Sequence, residues 1–472
     1  MGVSRLNFGE WLPDQPGVVG SLVQATNVYP VSNGYAPFPD KSVIGNAASE
    51  PLTSTFAGRY GSTVSLFTGS ATKLYKYNSV TLNFDNVSKT GGYTNSVLDF
   101  CQYGSAVIVA NGTSRLQAWY LGSSTQFADL SATAPIANCV TVVRDFVVAG
   151  YVGGVSNKVQ WSNINDETNW TASSTSQSDI QIMSDGGNIQ GITGGEFGLV
   201  LLEKAIYRMS YAGSPYFFQF DNISRGHGCF EPRSISQFRS ITYYLSDDGF
   251  YMCDGHSTAP IGSEKVDRFF FTDIGNNFST MSSAVDPIKK LVVWNYKNTA
   301  GNYAQLVYHY ELKRWAYGQV QISFVSELSS VTIALESLDA YGTVDSIGIS
   351  FDSRFWSGSK LLLSGVSGSN VVAISGANLT ASITTGDMQV ETGRSVVTMV
   401  RPIIDNASAT VAIASRNTLS ENISFTTPSS VNSDGRVPVR SAGRYHRYKV
   451  APTGAWNYAV GIEVDEAQQG SR

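Results

Sequence analysis

The chain has 472 residues with a formal net charge of −5, and only 15% of its residues are charged. No basic excess marks a general nucleic-acid binder, and no apolar run approaches the roughly 20 residues that a membrane-spanning helix needs. The 45 glycines, 24 tyrosines and 23 phenylalanines are typical of many short strands joined by tight turns. We therefore predict an all-β fold.

Residues 1–45 predict an extended N-terminal arm. Prolines interrupt residues 9–16, which excludes a helix interior or a central strand there, whereas residues 22–30 form a plausible strand. The arm contains four large aromatic side chains: Trp11, Tyr29, Tyr35 and Phe38. Their rings must pack either on the chain's own body or on a neighbouring subunit, and the sequence leaves both alternatives open.

Residues 46–385 contain a repeat. An aromatic residue recurs at intervals of 42 to 57 residues, at Tyr75, Trp119, Trp161, Tyr207, Tyr251 and Tyr308. A second bulky residue follows each one after 7 to 10 residues: Phe84, Phe127, Trp170, Phe217, Pro260 and Trp315. Apolar runs such as residues 103–109 and 198–202 precede the aromatic positions and suit strands buried on both faces. The period is that of one four-stranded blade, so we predict a β-propeller.

The number of blades is left at six or seven. Six copies lie between about residues 50 and 320, and a divergent seventh is expected over residues 338–356. The far end of the chain is a candidate to complete the first blade, as often happens in propellers.

Residues 386–472 predict a small C-terminal β-sandwich or barrel. Alternating strands are expected at residues 395–404, 410–416, 444–450 and 458–464. The third of these carries Arg444, His446 and Arg447 among aromatic residues, so one basic face should be exposed.

We find no catalytic, cofactor or metal motif. His227 and Cys229 in the sequence RGHGC are the most reactive-looking pair, but no third orienting group can be named. Asp247 and Asp248 lack the ligand spacing of a calcium loop and are interpreted as turn residues. The four cysteines lie far apart without a CxxC pair, which predicts buried free thiols. The protein is therefore not expected to be an enzyme.

One alternative function is a carbohydrate-binding or glycan-cleaving propeller. The sequence NINDETNW at residues 163–170 is similar to the Asp-box turn of sialidase-type propellers, although it lacks the glycine and serine of that turn. The three convergent arginines and the Tyr/Glu pair of such enzymes cannot be placed in this sequence.

Both ends of the chain resemble a known class of protein. The sequences FGEWLPD at residues 8–14, ATNVYP at 25–30 and GY at 34–35 resemble the opening of many tailed-phage structural proteins. The sequences LDAY at 338–341, SFDSRFW at 350–356, SGANL at 375–379 and GRYHR at 443–447 resemble their closing half. In layout the chain is similar to the tail hub, or nozzle, class of short-tailed phages, which includes packaged-DNA stabilisation proteins.

The resemblance implies a structural subunit without catalysis, located in the virion tail and, during assembly, in the host cytoplasm. It implies a homo-oligomeric ring, typically a hexamer, below the portal and adaptor proteins. That ring would extend the channel for double-stranded DNA without reading its sequence, help to retain packaged DNA, and anchor fibre, spike or needle proteins. A mildly acidic chain suits a channel through which DNA slides, because each neutralised phosphate would add affinity.

Five residues are our candidates for contacts between subunits. They are Trp11 and Tyr29 in the N-terminal arm, and Arg444, His446 and Arg447 in the basic strand. Both groups combine large or basic side chains with segments predicted to lie outside the repeat.

Overall fold

The structure, a computed structural model, describes residues 2–94, 98–330, 361–389, 393–405 and 408–469. Within these ranges the chain is all-β, with one α-helix, α1 (Asp267–Ile274), and two short 3₁₀ helices, Pro232–Ser234 and Phe278–Thr280. None of the described helices is long and apolar enough to cross a membrane.

Five short strands open the chain. They are β1 (Gly2–Asn7), β2 (Leu22–Thr26), β3 (Val28–Val31), β4 (Gly34–Pro37) and β5 (Ser42–Ile44). Strands β1, β2, β4 and β5 each pair with a strand from the second half of the chain, and β3 pairs with β4 at the edge of the same sheet.

Twenty strands then form five antiparallel sheets, each made of four consecutive strands. The first sheet contains β6 (Leu52–Tyr60), β7 (Thr63–Ser70), β8 (Leu74–Tyr77) and β9 (Phe84–Asn86). The second contains β10 (Asp99–Tyr103), β11 (Ala106–Ala110), β12 (Gln117–Tyr120) and β13 (Ala128–Asp129). The third contains β14 (Ala137–Val143), β15 (Phe146–Val152), β16 (Val155–Trp161) and β17 (Asp179–Ile182). The fourth and fifth contain β18 (Ile189–Thr193), β19 (Gly198–Leu202), β20 (Ala205–Gly213) and β21 (Phe217–Arg225); and β22 (Ser236–Phe238), β23 (Ile241–Leu245), β24 (Phe250–Cys253) and β25 (Thr258–Pro260).

A sixth sheet follows the same plan, with β26 (Ser282–Asp286), β27 (Leu291–Lys297), β28 (Tyr303–His309) and β29 (Arg314–Gly318). The repeated aromatic residues predicted from the sequence all lie on the third strand of a sheet, from Tyr75 on β8 to Tyr308 on β28. The apolar runs lie on the second strands; β11 and β19, for example, are buried along their whole length. Both positions are central within a sheet and covered on both faces, which explains their apolar composition.

The seventh sheet combines distant parts of the chain. Its strands are β30 (Phe324–Ser329), β31 (Leu361–Ser367) and β32 (Asn370–Ala373), and β5 pairs antiparallel with β32 as the outer strand. The divergent copy predicted at 338–356 lies outside the described residues. The prediction that the first sheet is completed by the far end of the chain is wrong: β9 completes that sheet, and the start of the chain completes the last one.

Hydrogen bonds join each small sheet to the next and the seventh to the first. From the first sheet to the fourth, the Arg59 amide donates to the Gln102 carboxamide (2.9 Å), the Val140 amide to the Asp99 carboxylate (2.9 Å), and the Arg144 amide to the Gly195 carbonyl (2.8 Å). From the fourth to the seventh, the Gln237 carboxamide donates to the Gly194 carbonyl (2.7 Å), the Trp294 indole to the Ser234 carbonyl (2.9 Å), and the Val325 amide to the Ser282 hydroxyl (3.0 Å). The hydroxyls of Thr55 and Ser326 join the first sheet to the seventh. The many small four-stranded sheets are compatible with a propeller-like fold.

The remaining strands form two larger sheets. They are β33 (Ser382–Thr385), β34 (Met388–Gln389), β35 (Arg394–Ile404), β36 (Ser408–Arg416), β37 (Ser429–Ser430), β38 (Val437–Gly443), β39 (Tyr445–Thr453) and β40 (Ala459–Gln469). One sheet has the order β3-β4-β40-β35-β38, with β1 also paired to β40. The other, β2-β33-β39-β36-β37, with β34 paired to β39, continues the sixth small sheet through β29, which lies parallel to β2. The N-terminal segment therefore lies within sheets that the C-terminal strands complete.

Candidate functional site

The sequence EWLPD at residues 10–14 fastens the N-terminal segment to α1. The Trp11 ring is only 2% exposed and meets Phe269 edge-on, with 5.2 Å between the ring centroids. The Asp14 carboxylate accepts the backbone N–H groups of Arg268 (2.9 Å) and Phe269 (2.8 Å) at the start of α1. These are the free donors of a helix N-terminus, so Asp14 caps α1 from outside the helix.

An ion pair strengthens this attachment. The Glu10 carboxylate lies 2.6 Å from the Lys265 ammonium, one residue before the helix start region at Val266. These contacts hold residues 10–14 against α1 and the residue before its N-terminal cap.

The other rings of the predicted arm also pack within the chain. Tyr35 and Phe38 are buried, and Tyr35 donates its hydroxyl to the Gly9 carbonyl at 2.9 Å. Tyr29 is half-buried, lies edge-on to Phe38 at 6.5 Å, and carries the Lys289 ammonium over its ring at 5.2 Å. Burial raises the pKa of Tyr29. Of the two alternatives for these rings, packing on the chain's own body is the one observed.

The basic strand β39 places its three candidate residues in different surroundings. Arg444, one residue before β39, is exposed over the Tyr445 ring at 5.8 Å. His446 is fully buried and bonds the hydroxyls of Ser395 and Ser415, both at 2.8 Å. Burial lowers the pKa of His446, so its imidazole is neutral near pH 7.

Arg447 is already engaged. Its guanidinium lies 2.7 Å from the Asp387 carboxylate, which also binds the Arg416 guanidinium. The three side chains are between 12% and 15% exposed. Of the five predicted contact residues, Arg444 offers a side chain with wide access to solvent, while Trp11 and His446 are internal. Their role between subunits stays a prediction.

A cavity of about 350 Å³ lies where the first strands of the small sheets meet. It is lined by residues from β10, β14, β18, β22, β26 and β30. Asp99 and Arg233 are its charged groups among the described residues, and they do not form an ion pair. Burial raises the pKa of Asp99 to about 6, against the effect of the Val140 N–H bond. The Arg233 guanidinium lies 5.6 Å from the centroid of the Phe324 ring.

The reactive-looking pair of the sequence does not meet as a nucleophile and base. Cys229 is fully buried and directs its thiol to the Glu231 carbonyl at 3.2 Å, and burial raises the pKa of this thiol to about 12. His227 is exposed and points elsewhere, with its Nδ1 atom 3.4 Å from the Asp248 carboxylate. The structure thus separates His227 from Cys229 and brings it to Asp247 and Asp248 instead. In the sequence, RGHGC at residues 225–229 and the aspartates at 247–248 are two separate turns, and neither alone indicates this contact.

The tryptophans of the Asp-box-like turn are structural. Trp161 and Trp170 are 2% and 3% exposed, and the Trp170 indole donates to the Glu167 carbonyl at 2.7 Å. Neither ring face is open for stacking against a sugar. Sialidase-type propellers need three convergent arginines, whereas Arg233 is the one arginine among the described residues that line the cavity where the first strands meet.

Comparisons with known proteins leave the family open. No protein-family model matches the chain, and no curated protein matches it either. The chain is similar to a solved structure of a computationally designed protein, Ika8, with a TM-score of 0.35 and 10% identity over 71% of this chain and 98% of that one.

Proposed function

We propose that this protein is a structural subunit of a tailed-phage virion, of the tail hub or nozzle class, and that its seven small sheets are the blades of a β-propeller. The observation that carries the proposal is the way both ends of the chain are built into one body. The N-terminal strand β5 completes the seventh sheet, and β1, β3 and β4 belong to the same sheet as the C-terminal β40.

A body closed in this way suits a load-bearing role. Pulling on either terminus loads several strand ladders together, because the terminal strands lie inside sheets from the opposite half of the chain. The end sequences that resemble phage structural proteins include the segment that caps α1 through Asp14. We therefore propose that these end sequences serve the folding of the subunit into one body.

The DNA path in this proposal lies between subunits. The cavity where the first strands meet has a volume of about 350 Å³ and is lined by residues of six of the seven small sheets. A cyclic ring of copies, which we propose to be a hexamer below the portal and adaptor, supplies a wider channel. The net charge of −5 keeps such a channel from holding the phosphate backbone tightly.

Electron microscopy of the purified chain tests this proposal, first alone and then with the portal and adaptor proteins of the virion to which the proposal assigns it. We expect closed rings of one subunit number, at least in the presence of the portal and adaptor. A chain that stays monomeric with both partners, and is missing from purified tails, would refute the proposal. Binding or cleavage of a host polysaccharide by the monomer would favour the carbohydrate alternative.

A further inference from the structure

We infer a binding site for a divalent transition-metal ion, of the zinc type, formed by His227, Asp247 and Asp248. One ligand atom from each side chain can be chosen so that all three lie within 4.8 Å of one another. The residues come from different sheets. His227 follows β21 of the fourth sheet, whereas the two aspartates form the turn between β23 and β24 of the fifth. The ion would join two consecutive sheets at their surface.

The ligand set selects the class of metal. An imidazole nitrogen with carboxylate oxygens suits zinc and its first-row neighbours, whereas calcium and magnesium prefer oxygen alone. Three protein ligands leave further positions for water. His227 and Asp248 are 47% and 49% exposed, so an ion can reach them directly from solvent.

Negative charge is in excess around His227, Asp247 and Asp248, and a bound cation would neutralise it. Two adjacent carboxylates face one imidazole, and no lysine or arginine pairs with Asp247 or Asp248 among the ion pairs of the described residues. The remaining donors are hydroxyls: Ser246 reaches Asp247 at 3.3 Å, and Tyr251 reaches Asp248 at 2.8 Å. A divalent ion would neutralise both carboxylates.

The ligands are also held in place by their neighbours. The His227 ring is stacked on the Tyr251 ring, with 5.2 Å between centroids and 25° between planes, and the Tyr251 hydroxyl bonds Asp248. One tyrosine thus orients two of the three ligands, as outer-sphere residues do in metal sites. The loop backbone is fixed as well, because the Ser224 hydroxyl donates to the His227 carbonyl at 3.1 Å and the Cys229 amide donates to the Leu202 carbonyl at 2.8 Å.

The other candidate ligands of the chain do not compete. All four cysteines are buried, and so are His309 and His446. His256 is exposed, but its ring nitrogens face the Arg208 guanidinium at 3.0 and 3.3 Å, which repels a cation. His256 is therefore a matched control: an exposed histidine in a polar turn near an aspartate, without the second carboxylate and with an arginine in front.

The test is titration of the full-length protein with Zn²⁺ by calorimetry, and with Co²⁺ by visible absorption. We expect one site per chain. His227→Ala should remove it, while Asp247→Asn and Asp248→Asn should each weaken binding by about 100-fold or more, beyond the roughly 10- to 100-fold cost of losing an outer-sphere partner. Tyr251→Phe should weaken it by about 10-fold. His256→Ala should leave binding unchanged.

Two results would overturn the inference. One is no stoichiometric binding of either metal by the unaltered protein. The other is binding that survives His227→Ala or that disappears in His256→Ala. Circular dichroism of each variant without metal checks that the fold is retained, and a metal-dependent rise in the unfolding midpoint, present in the unaltered protein and absent in His227→Ala, reports the site independently of the titration.

Discussion

Val43 in β5 is paired with Val372 in β32, so the start of the chain forms the outer strand of the seventh sheet. The next residue, Ile44, is fully buried against that sheet, whereas Val43 is 47% exposed. We predict that Ile44→Ala lowers the free energy of unfolding by about 2 to 5 kcal/mol, because it leaves a cavity in the core. Chemical denaturation measures the loss. Val43→Ala on the same strand should change it by no more than about 0.5 kcal/mol, and equal losses would contradict the observed register.

A second prediction separates packing from assembly at Trp11. Because its ring is buried against Phe269 and its indole donates to the Val23 carbonyl at 3.2 Å, Trp11→Ala should destabilise the isolated subunit by about 3 to 5 kcal/mol. Thermal or chemical unfolding of the monomer measures this. Val19, in the same segment and 90% exposed, provides the control: Val19→Ala should be nearly neutral. A Trp11→Ala monomer of unchanged stability would contradict the packing of this ring inside the subunit.

A third prediction concerns the carboxylate shared by two arginines. Removing Asp387 leaves Arg416 and Arg447 poorly solvated and without their counter-charge, so Asp387→Ala should cost about 3 to 5 kcal/mol in unfolding free energy. The exposed pair of Arg401 and Glu463, at 3.6 Å on the neighbouring sheet, is the matched comparison. Arg401→Ala should cost less than about 1 kcal/mol. Similar losses in both variants would mean that the burial of the Asp387 cluster has no energetic effect.

A fourth prediction follows from the burial of His446. Its pKa is lower in the folded protein than the ordinary value of 6.5, because burial disfavours the charged ring, and the groups against that ring are the Ser395 and Ser415 hydroxyls and the Tyr448 ring. The stability it contributes is complete above about pH 6.5 and declines as the pH falls toward the folded pKa, since the unfolded chain takes up the proton first. The difference in unfolding free energy between the unaltered protein and a variant without this imidazole, measured from pH 8 to 5, should show this decline, because buried carboxyl groups such as Asp99 titrate in the same range with the opposite sign.

His446→Gln provides the comparison for that titration. Glutamine offers an amide to the same serines and does not titrate, so its profile should lack the loss of stability that His446 causes below about pH 6.5. Other slopes should remain in both proteins, because burial lowers the pKa of His309 and raises that of Asp99 to about 6 and those of Asp267 and Glu327 to about 7. An unchanged pH profile in His446→Gln would contradict the prediction.

The repeat could be predicted because it rests on local composition. Tyr75, Trp119 and their counterparts are large because they lie on third strands that are covered on both faces. The first strand of each sheet could not be predicted in the same way. In β10, for example, Asp99 faces the central cavity and the strand is mostly half-buried, so it carries no apolar run. The seventh sheet could not be predicted as it stands, because its outer strand β5 lies far from β30, β31 and β32 in sequence.

The cluster of His227, Asp247 and Asp248 was missed for a related reason. Each stretch alone has the composition of a turn, and neither has metal-ligand spacing. The three side chains meet only because the loop after β21 lies beside the turn between β23 and β24 of the next sheet. The burial of Trp11 was equally undecided, because a tryptophan that packs inside a subunit and one that packs between subunits have the same sequence signature.

The pairing of the chain's two ends sets the order of events during synthesis. Strand β5 leaves the ribosome early, but its partner β32 is made only after all the other small sheets, and β1 waits still longer for β40. Strands β1 and β5 must therefore wait without these partners while the intervening sheets form. The prolines and glycines at residues 13–20 suit that interval, because they disfavour a premature strand or helix. Because β40 pairs with β1 and β32 with β5, these sheets are completed only after the later strands have been made.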